Sequence, residues 1–418
     1  MLVNRGMPFL RVRALLVWCL VASVSLFFVF SCQNAQDDDS DDEGFSFFRF
    51  VDDVERVEIP ASYTPEVAGE LSNKLDSAFT YLHKYKGFNG TVLVTKYNKV
   101  VYKGALGYSD FKQRDTLTTE TAFQLASVSK QFTAMAIMML KEEGDLDYDD
   151  SVQQYLPDFP YHGITIRHLL THRSGLSNYT YFSDELWPDR KVPITNQDVL
   201  NLMYTHQPRP YTKPDVRFNY SNTGYAILAS IVEEASGMPF AIYLQKHIFE
   251  PLKMRNTFAF SKDVITMTGK VAAGHTAGRR RRWPDYLDYV LGDKGLYSTV
   301  EDLHKWEQAL YTQKLVKRKT LAEAFKGSRP ETEKKKDEDY GFGWRIMQVE
   351  SGDTIQYHGG LWHGYSTYLL RNPKDQSSII VLSNVPNGSF SYLKDIRRIM
   401  YPAISGSSTK HSGKLTSK

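Results

Sequence analysis

Apolar and polar positions change rhythm along the chain, and each rhythm predicts a different element. From Ala14 to Phe30 the residues form an unbroken run of low polarity, with Arg5, Arg11 and Arg13 before it. Farther on, Gly90 to Thr95 and Val100 to Tyr102 flank a short turn through Tyr97, Asn98 and Lys99, which predicts a β-hairpin. Helical spacing follows at 128–143, from Thr195 to Tyr204, and from Thr223 to Ala235, where Gly237 ends it. Another helix is expected to start at Pro239, a residue suited to the first turn. The stretch Gln131 to Leu140 is apolar nearly all round and has no breaker before Gly144, so its helix should be buried. Strand patterns return at Ser366 to Leu370 and Ser378 to Leu382. An amphipathic segment with Leu393, Ile396, Ile399 and Met400 then suits the surface of a sheet.

Strands near both ends with helices between them predict an α/β (α+β) fold. One antiparallel sheet would be built from the two ends of the chain, with flanking helices and a helical insertion covering it. The domain is expected over residues 66–404, its sheet part about 66–125 and 290–404 and its helical part about 126–289. No internal repeat is apparent.

The 418 residues, 42% hydrophobic and 24% charged, can bury a large core. The two ends differ from this. Ser31 places a small residue directly before Cys32 at the close of the apolar run, the pattern of an export signal over residues 1–31. Val29 to Cys32 resembles a bacterial lipoprotein processing box, whose cysteine becomes the lipid-carrying terminus. An uncleaved transmembrane anchor is the other reading, because the run is almost long enough to cross a bilayer. Cys19 and Cys32 are the two cysteines, so removing the signal leaves one thiol and no internal disulfide, and lipidation explains that lone thiol. Removal also takes away three arginines and no acids, which turns 51 basic against 48 acidic residues into 48 against 48. A neutral mature chain gives no case for nucleic acid.

The stretch Gln33 to Glu43 is polar and acidic, and residues 32–65 read as a solvated tether. Acidic residues so close to a lipidated cysteine resemble surface-export signals of some diderm bacteria; a plain spacer is the alternative. The expectation is therefore an exported lipoprotein, tethered to a membrane on the periplasmic or cell-surface side. Arg279 to Arg282 and Lys334 to Lys336 read as solvated loops, and 405–418 as a frayed tail.

Candidate chemistry rests on three short motifs in order: Ser127-Val128-Ser129-Lys130, Tyr220-Ser221-Asn222 and His358-Gly359-Gly360. Ser-x-x-Lys puts a hydroxyl and an amine one helical turn apart, where a neutral lysine takes the serine proton. The pattern also occurs at Ser109, Ser391 and Ser407, but Ser127 alone is followed by an apolar helix. A helix start supplies free backbone N–H groups and the positive end of the dipole. Tyr-x-Asn is found at Tyr220 only, and His-x-Gly at His358 and His411. Gly-x-Ser-x-Gly and His-Glu-x-x-His are absent, which excludes an ordinary α/β-hydrolase elbow and a zinc peptidase helix.

With these motifs stand Gly163 to Leu176, Phe218 to Tyr225, Gly295 to Leu303 and Tyr340 to Trp344. Together they make the chain, over about residues 70–400, similar to the class C β-lactamase, D-alanyl-D-alanine carboxypeptidase and esterase superfamily. Against the class A pattern Ser-x-x-Lys, Ser-Asp-Asn and Lys-Thr-Gly, Tyr220 replaces a serine and His358 a lysine. Tyrosine is the class C choice; histidine in the third motif is found in some carboxypeptidases and esterases. The resemblance implies attack by Ser127 on an amide or ester carbonyl, with Lys130 and Tyr220 handling the proton. Either a neutral Lys130 or a Tyr220 phenolate beside a charged lysine would serve as base. It further implies an oxyanion site at the backbone N–H groups of Ser127 and Leu361. Gly359 and Gly360 would let a substrate strand approach closely. Asn222 would hold a substrate amide, and His358 would assist Tyr220 or meet a substrate carboxylate. Trp283, Trp362 and His363 are candidates for lining the cleft. No metal or cofactor is needed. The expected partner is a small molecule or peptide: a D-amino-acid peptide, a β-lactam or a short ester. A catalytically silent penicillin-binding-type protein, binding cell-wall peptides or a partner, is the competing reading.

Overall fold

The computed structural model describes residues 57–262, 270–330, 333, 338–349 and 351–402. The segment expected to direct export, Cys19, Cys32, the acidic stretch, Lys334 to Lys336 and the C-terminal tail lie outside the described residues.

Seven strands form the main sheet: β1 Gly90–Lys96, β2 Lys99–Leu106, β3 Glu338–Tyr340, β4 Arg345–Gln348, β5 Thr354–Trp362, β6 Tyr365–Asn372 and β7 Ser377–Ser383. Their order is β2-β1-β7-β6-β5-β4-β3 and every neighbouring pair is antiparallel. The N-terminal hairpin thus pairs with the last strand, Leu93 opposite Ile380. Its turn is tight: Tyr97 and Asn98 both take positive φ, 50° and 61°, the left-handed pair whose twist suits a two-residue hairpin.

Side chains on β1, β6 and β7 alternate between two cores, as the strand period of two requires. Leu93, Leu369, Ile380 and Leu382 join the larger core with the helical part. Val92, Val94, Leu370, Ile379 and Val381 face the other way. There they meet Leu75, Phe79 and Leu82 of α1 Pro65–Lys86, together with Leu393, Ile396 and Met400 of α4 Leu393–Met400. Because both faces are covered, β6 and β7 are buried along their whole length, which accounts for apolar runs in place of a one-sided alternation.

Between the strands lie α2 Lys130–Glu143 and α3 Asn222–Ser236, both largely buried and each ended by a left-handed glycine, Gly144 or Gly237. Helix Asn196–His206 starts from Thr195, whose hydroxyl accepts from Asp198 N while Asp198 bonds back to Thr195 N. Pro239 caps helix Phe240–Leu244 from just outside, one position earlier than expected.

His358 lies inside β5, a strand absent from the predicted elements, because its paired glycines carry no side-chain signal for a strand. Ser109, which begins another Ser-x-x-Lys copy, is buried in the short strand Tyr108–Asp110, where its hydroxyl donates to Asp115 O.

Candidate active site

Ser127 owes its place to a sharp change of chain direction. Strand Phe123–Gln124 ends, Ala126 takes a positive φ of 48°, and a 3₁₀ turn Ala126–Ser129 runs directly into α2. A left-handed alanine is strained, so the surroundings must hold it. Leu125 N donates to Leu296 O at 2.7 Å, Thr367 Oγ1 donates to Leu125 O at 2.7 Å, and Leu296 N donates to Ser129 Oγ at 3.3 Å. The sheet presses on this turn through Gly360. A methyl there would stand 2.4 Å from Leu125 O and 2.9 Å from Ala126 Cβ. Close packing of protein on protein therefore explains Gly360, in place of the substrate approach expected from the motif. At Gly359 an added methyl would find nothing nearer than 3.7 Å.

Lys130 begins α2 and is fully buried. Its Nζ lies 3.3 Å from Ser127 Oγ, 2.9 Å from Asn222 Oδ1 and 2.8 Å from Asp293 O. Asn222 begins α3, so two helix starts meet at one amine. Nζ also stands 5.0 Å from the centre of the Tyr220 ring and 5.5 Å from that of the Tyr225 ring. Among the described residues Ser127 Oγ bonds to Lys130 and not to Tyr220.

His358 is buried, with Nδ1 2.8 Å from Gly359 O and Nε2 3.0 Å from Tyr340 Oη. A carbonyl only accepts, so Nδ1 carries the proton and Nε2 accepts from the tyrosine. Burial first, then the charges of Lys130 and Arg345, hold the imidazole down to about 3. A neutral, enclosed ring cannot offer a positive charge to a substrate carboxylate, and its ring centre is 6.2 Å from that of Tyr220.

The spacing of motifs gave no hint of His172. Its Nδ1 accepts from Ser221 N at 3.2 Å, and its ring lies 4.2 Å from Tyr220 and 4.6 Å from Tyr340. Burial, then Lys130 and His358, keep it well below the usual imidazole range. Its Nε2 is buried without a hydrogen-bond partner. The residue lies in the Gly163 to Leu176 segment that carries the family resemblance, which was the available signal. A second buried set stands behind Lys130. The Tyr179 hydroxyl is 3.1 Å from Asp293 Oδ2 and receives a bond from Lys294 Nζ, while Lys294 lies 4.9 Å from the Trp362 ring.

At the end of β5, Trp362 Nε1 donates to Asp288 Oδ1 at 2.5 Å and His363 Nε2 stands 3.5 Å from Asp285 Oδ2. Leu361 is 68% exposed and Trp283 64%. β4 pairs with β5 only as far as Tyr357, so among the described residues His358 to Trp362 have a sheet neighbour on one side alone. A cavity of about 230 Å³ is lined by Tyr340 with Arg173, Phe218, Glu338 and Arg345. Arg173 is paired with Asp215 at 2.5 Å, and Arg345 with Glu338.

Known proteins share this arrangement of chain. The Beta-lactamase family model matches residues 75–402. Penicillin-binding protein 4* of Bacillus subtilis (strain 168) is 35% identical over 323 residues, 74% of this chain and 71% of that protein. D-aminopeptidase of Brucella anthropi is 26% identical over 319 residues, 73% of this chain and 58% of that enzyme. Among solved structures, the octameric penicillin-binding protein homologue from Pyrococcus abyssi has a TM-score of 0.68 at 28% identity, covering 80% of this chain and 77% of that one. The chain, with its buried lysine bonded to a serine at a helix start, belongs to the beta-lactamase family and is a serine hydrolase of that family.

Proposed function

We propose that this hydrolase works through a covalent acyl-enzyme on D-amino-acid peptides or short esters, with Ser127 as nucleophile and Lys130 as its base. The observation that carries the reading is the set of three oxygens around Lys130 Nζ. Asn222 Oδ1 and Asp293 O can only accept, so when Lys130 acts as base they hold the two hydrogens of its amine and the lone pair faces the Ser127 hydroxyl. Tyr220, lacking a bond to Ser127, is assigned to the leaving group.

In the forward step Ser127 Oγ bonds to the substrate carbonyl carbon as its proton passes to Lys130 Nζ. The oxyanion is held by the backbone N–H groups of Ser127 and Leu361. Collapse breaks the bond to the leaving nitrogen or oxygen, which takes up a proton by way of Tyr220. Water then attacks the acyl ester and restores Ser127. The open side of β5 from His358 to Trp362 suits an extended peptide, which would pair with it as an added strand. Asn222, its Oδ1 engaged by Lys130, keeps Nδ2 for a substrate carbonyl.

The hydrophobic run before Cys32 supports export and lipid tethering outside the cytoplasm. Hydrolysis of D-alanyl peptides, a chromogenic β-lactam and p-nitrophenyl acetate tests the substrate class, with labelling by a fluorescent phosphonate alongside. Wild type should label and turn over at least one class, and Ser127→Ala should do neither while keeping its fold. A folded wild type inert to every substrate and to the label would mean a silent binding protein.

A further inference from the structure

Arg279 to Trp283 is a cationic and aromatic segment that the acyl-transfer chemistry does not use. It is not a loose loop. Arg279 N donates to Thr276 O and Thr276 N to Arg280 O, both at 2.8 Å, and Arg282 N donates to Gly274 O at 2.7 Å. The turn is fastened from outside as well: His275 N donates to Asn384 O at 2.9 Å, and Arg281 Nη1 is 3.1 Å from Asp110 Oδ2. Its inner side is in direct backbone contact with the turn that follows β5. A methyl on Gly274 would stand 2.5 Å from His363 O, and one on Gly364 2.5 Å from His275 N. The chain then continues past the same place, where Asp285 meets His363 and Asp288 meets Trp362. The arginine turn is therefore built onto the strand end that carries Leu361.

Its chemistry is unbalanced. Arg279, Arg280 and Arg282 are exposed, and among the described residues none of them pairs with a carboxylate. Trp283 is exposed too, with the Arg281 guanidinium 4.5 Å from its ring. Three like charges held on a rigid backbone repel one another, and an exposed indole is poorly hydrated. Both costs are relieved by an anionic ligand with a flat or apolar portion.

We propose that this turn is an outer subsite for carboxylates on the acyl donor: it holds the acidic part of a peptide whose scissile carbonyl lies at Ser127. The proposal rests on the peptide hydrolase reading and names its substrate class. Guanidinium groups grip carboxylates in pairs, and a positive rim beside the cleft raises the encounter rate of acidic substrates.

The test uses the full chain in detergent, with Arg280→Gln/Arg282→Gln as the variant. Two D-alanyl peptides differing only in a glutamate or glutamine extension are compared, with p-nitrophenyl acetate as neutral control. Wild type should prefer the acidic peptide in kcat/KM by about tenfold at low salt, an advantage residing in KM and fading as salt rises. The variant should lose that preference and keep its activity on the ester. Equal use of the two peptides by wild type, or a preference that survives in the variant, overturns the proposal. Fluorescence anisotropy of the labelled peptides on Ser127→Ala reads the subsite independently of turnover. An acidic preference there supports the proposal even if the hydrolase reading fails; equal binding refutes it. Vesicles of phosphatidylglycerol form the last arm: loss of vesicle binding in the variant with unchanged peptide binding would assign the turn to a membrane surface and overturn the peptide subsite.

Discussion

Lys130 Nζ lies 2.9 Å from Asn222 Oδ1, joining the first residues of two buried helices 92 positions apart in the chain. That bond places a neutral amide oxygen directly against the amine. A neutral amide there is compatible with a neutral lysine, whereas a carboxylate favours the ammonium. Asn222→Asp should therefore lower kcat/KM near neutrality by about 10²-fold or more, the scale of a lost general base. An unchanged kcat/KM in a folded Asn222→Asp protein would remove Lys130 from the role of base.

His358 gives a pH signature in stability. Its folded pKa of about 3 lies below the ordinary 6.5, so the unfolded chain binds the proton first. The associated stability is complete above about pH 6.5 and is lost progressively as pH falls towards 3. His172 is shifted in the same direction and adds to the slope. Urea midpoints should fall between pH 7 and 5 in wild type. In His358→Gln, which keeps a partner for Tyr340, they should fall less. Identical slopes in the two proteins would contradict a neutral buried His358.

Gly359 and Gly360 should respond differently to alanine, despite standing side by side. A methyl at Gly360 meets Leu125 O and Ala126 Cβ, so Gly360→Ala should cost about 1–3 kcal/mol, as overpacking does, and displace Ser127. Its turnover should drop with its melting temperature. Gly359→Ala should melt close to wild type, because the space around it is open. Equal melting temperatures for the two variants would show that the contact at Leu125 is relieved at no cost.

Cys32→Ala tests the tether. Wild type should incorporate a fatty-acid analogue during growth and the variant should accumulate as unprocessed precursor, since the acceptor thiol is gone while the apolar run persists. Equal labelling of both proteins would rule out lipidation at Cys32.

Much of the fold was legible because its signals are local. The valine-rich strands with Asn98 between them specify the first hairpin. The apolar stretch ending at Gly144 specifies α2, and Thr195 and Gly237 mark a helix start and a helix stop. β5 was missed, since two glycines and a histidine carry little strand preference and only pairing with β6 makes them a strand.

The sequence by itself determined the Ser127–Lys130 pair: three residues along one helical turn bring hydroxyl and amine together through backbone geometry alone. It also determined the order of the three motifs and the alternation of the sheet. Tertiary structure decided what surrounds that pair. Asn222 and Asp293 complete the amine's oxygens from 92 and 163 positions away. His172 backs Tyr220, Tyr340 neutralises the hydrogen-bonding demand of His358, and Gly360 lets the sheet close on the serine turn. Such contacts leave no periodic trace in a chain. They arise when elements pack and most buried polar groups find a partner among residues the fold happens to bring near.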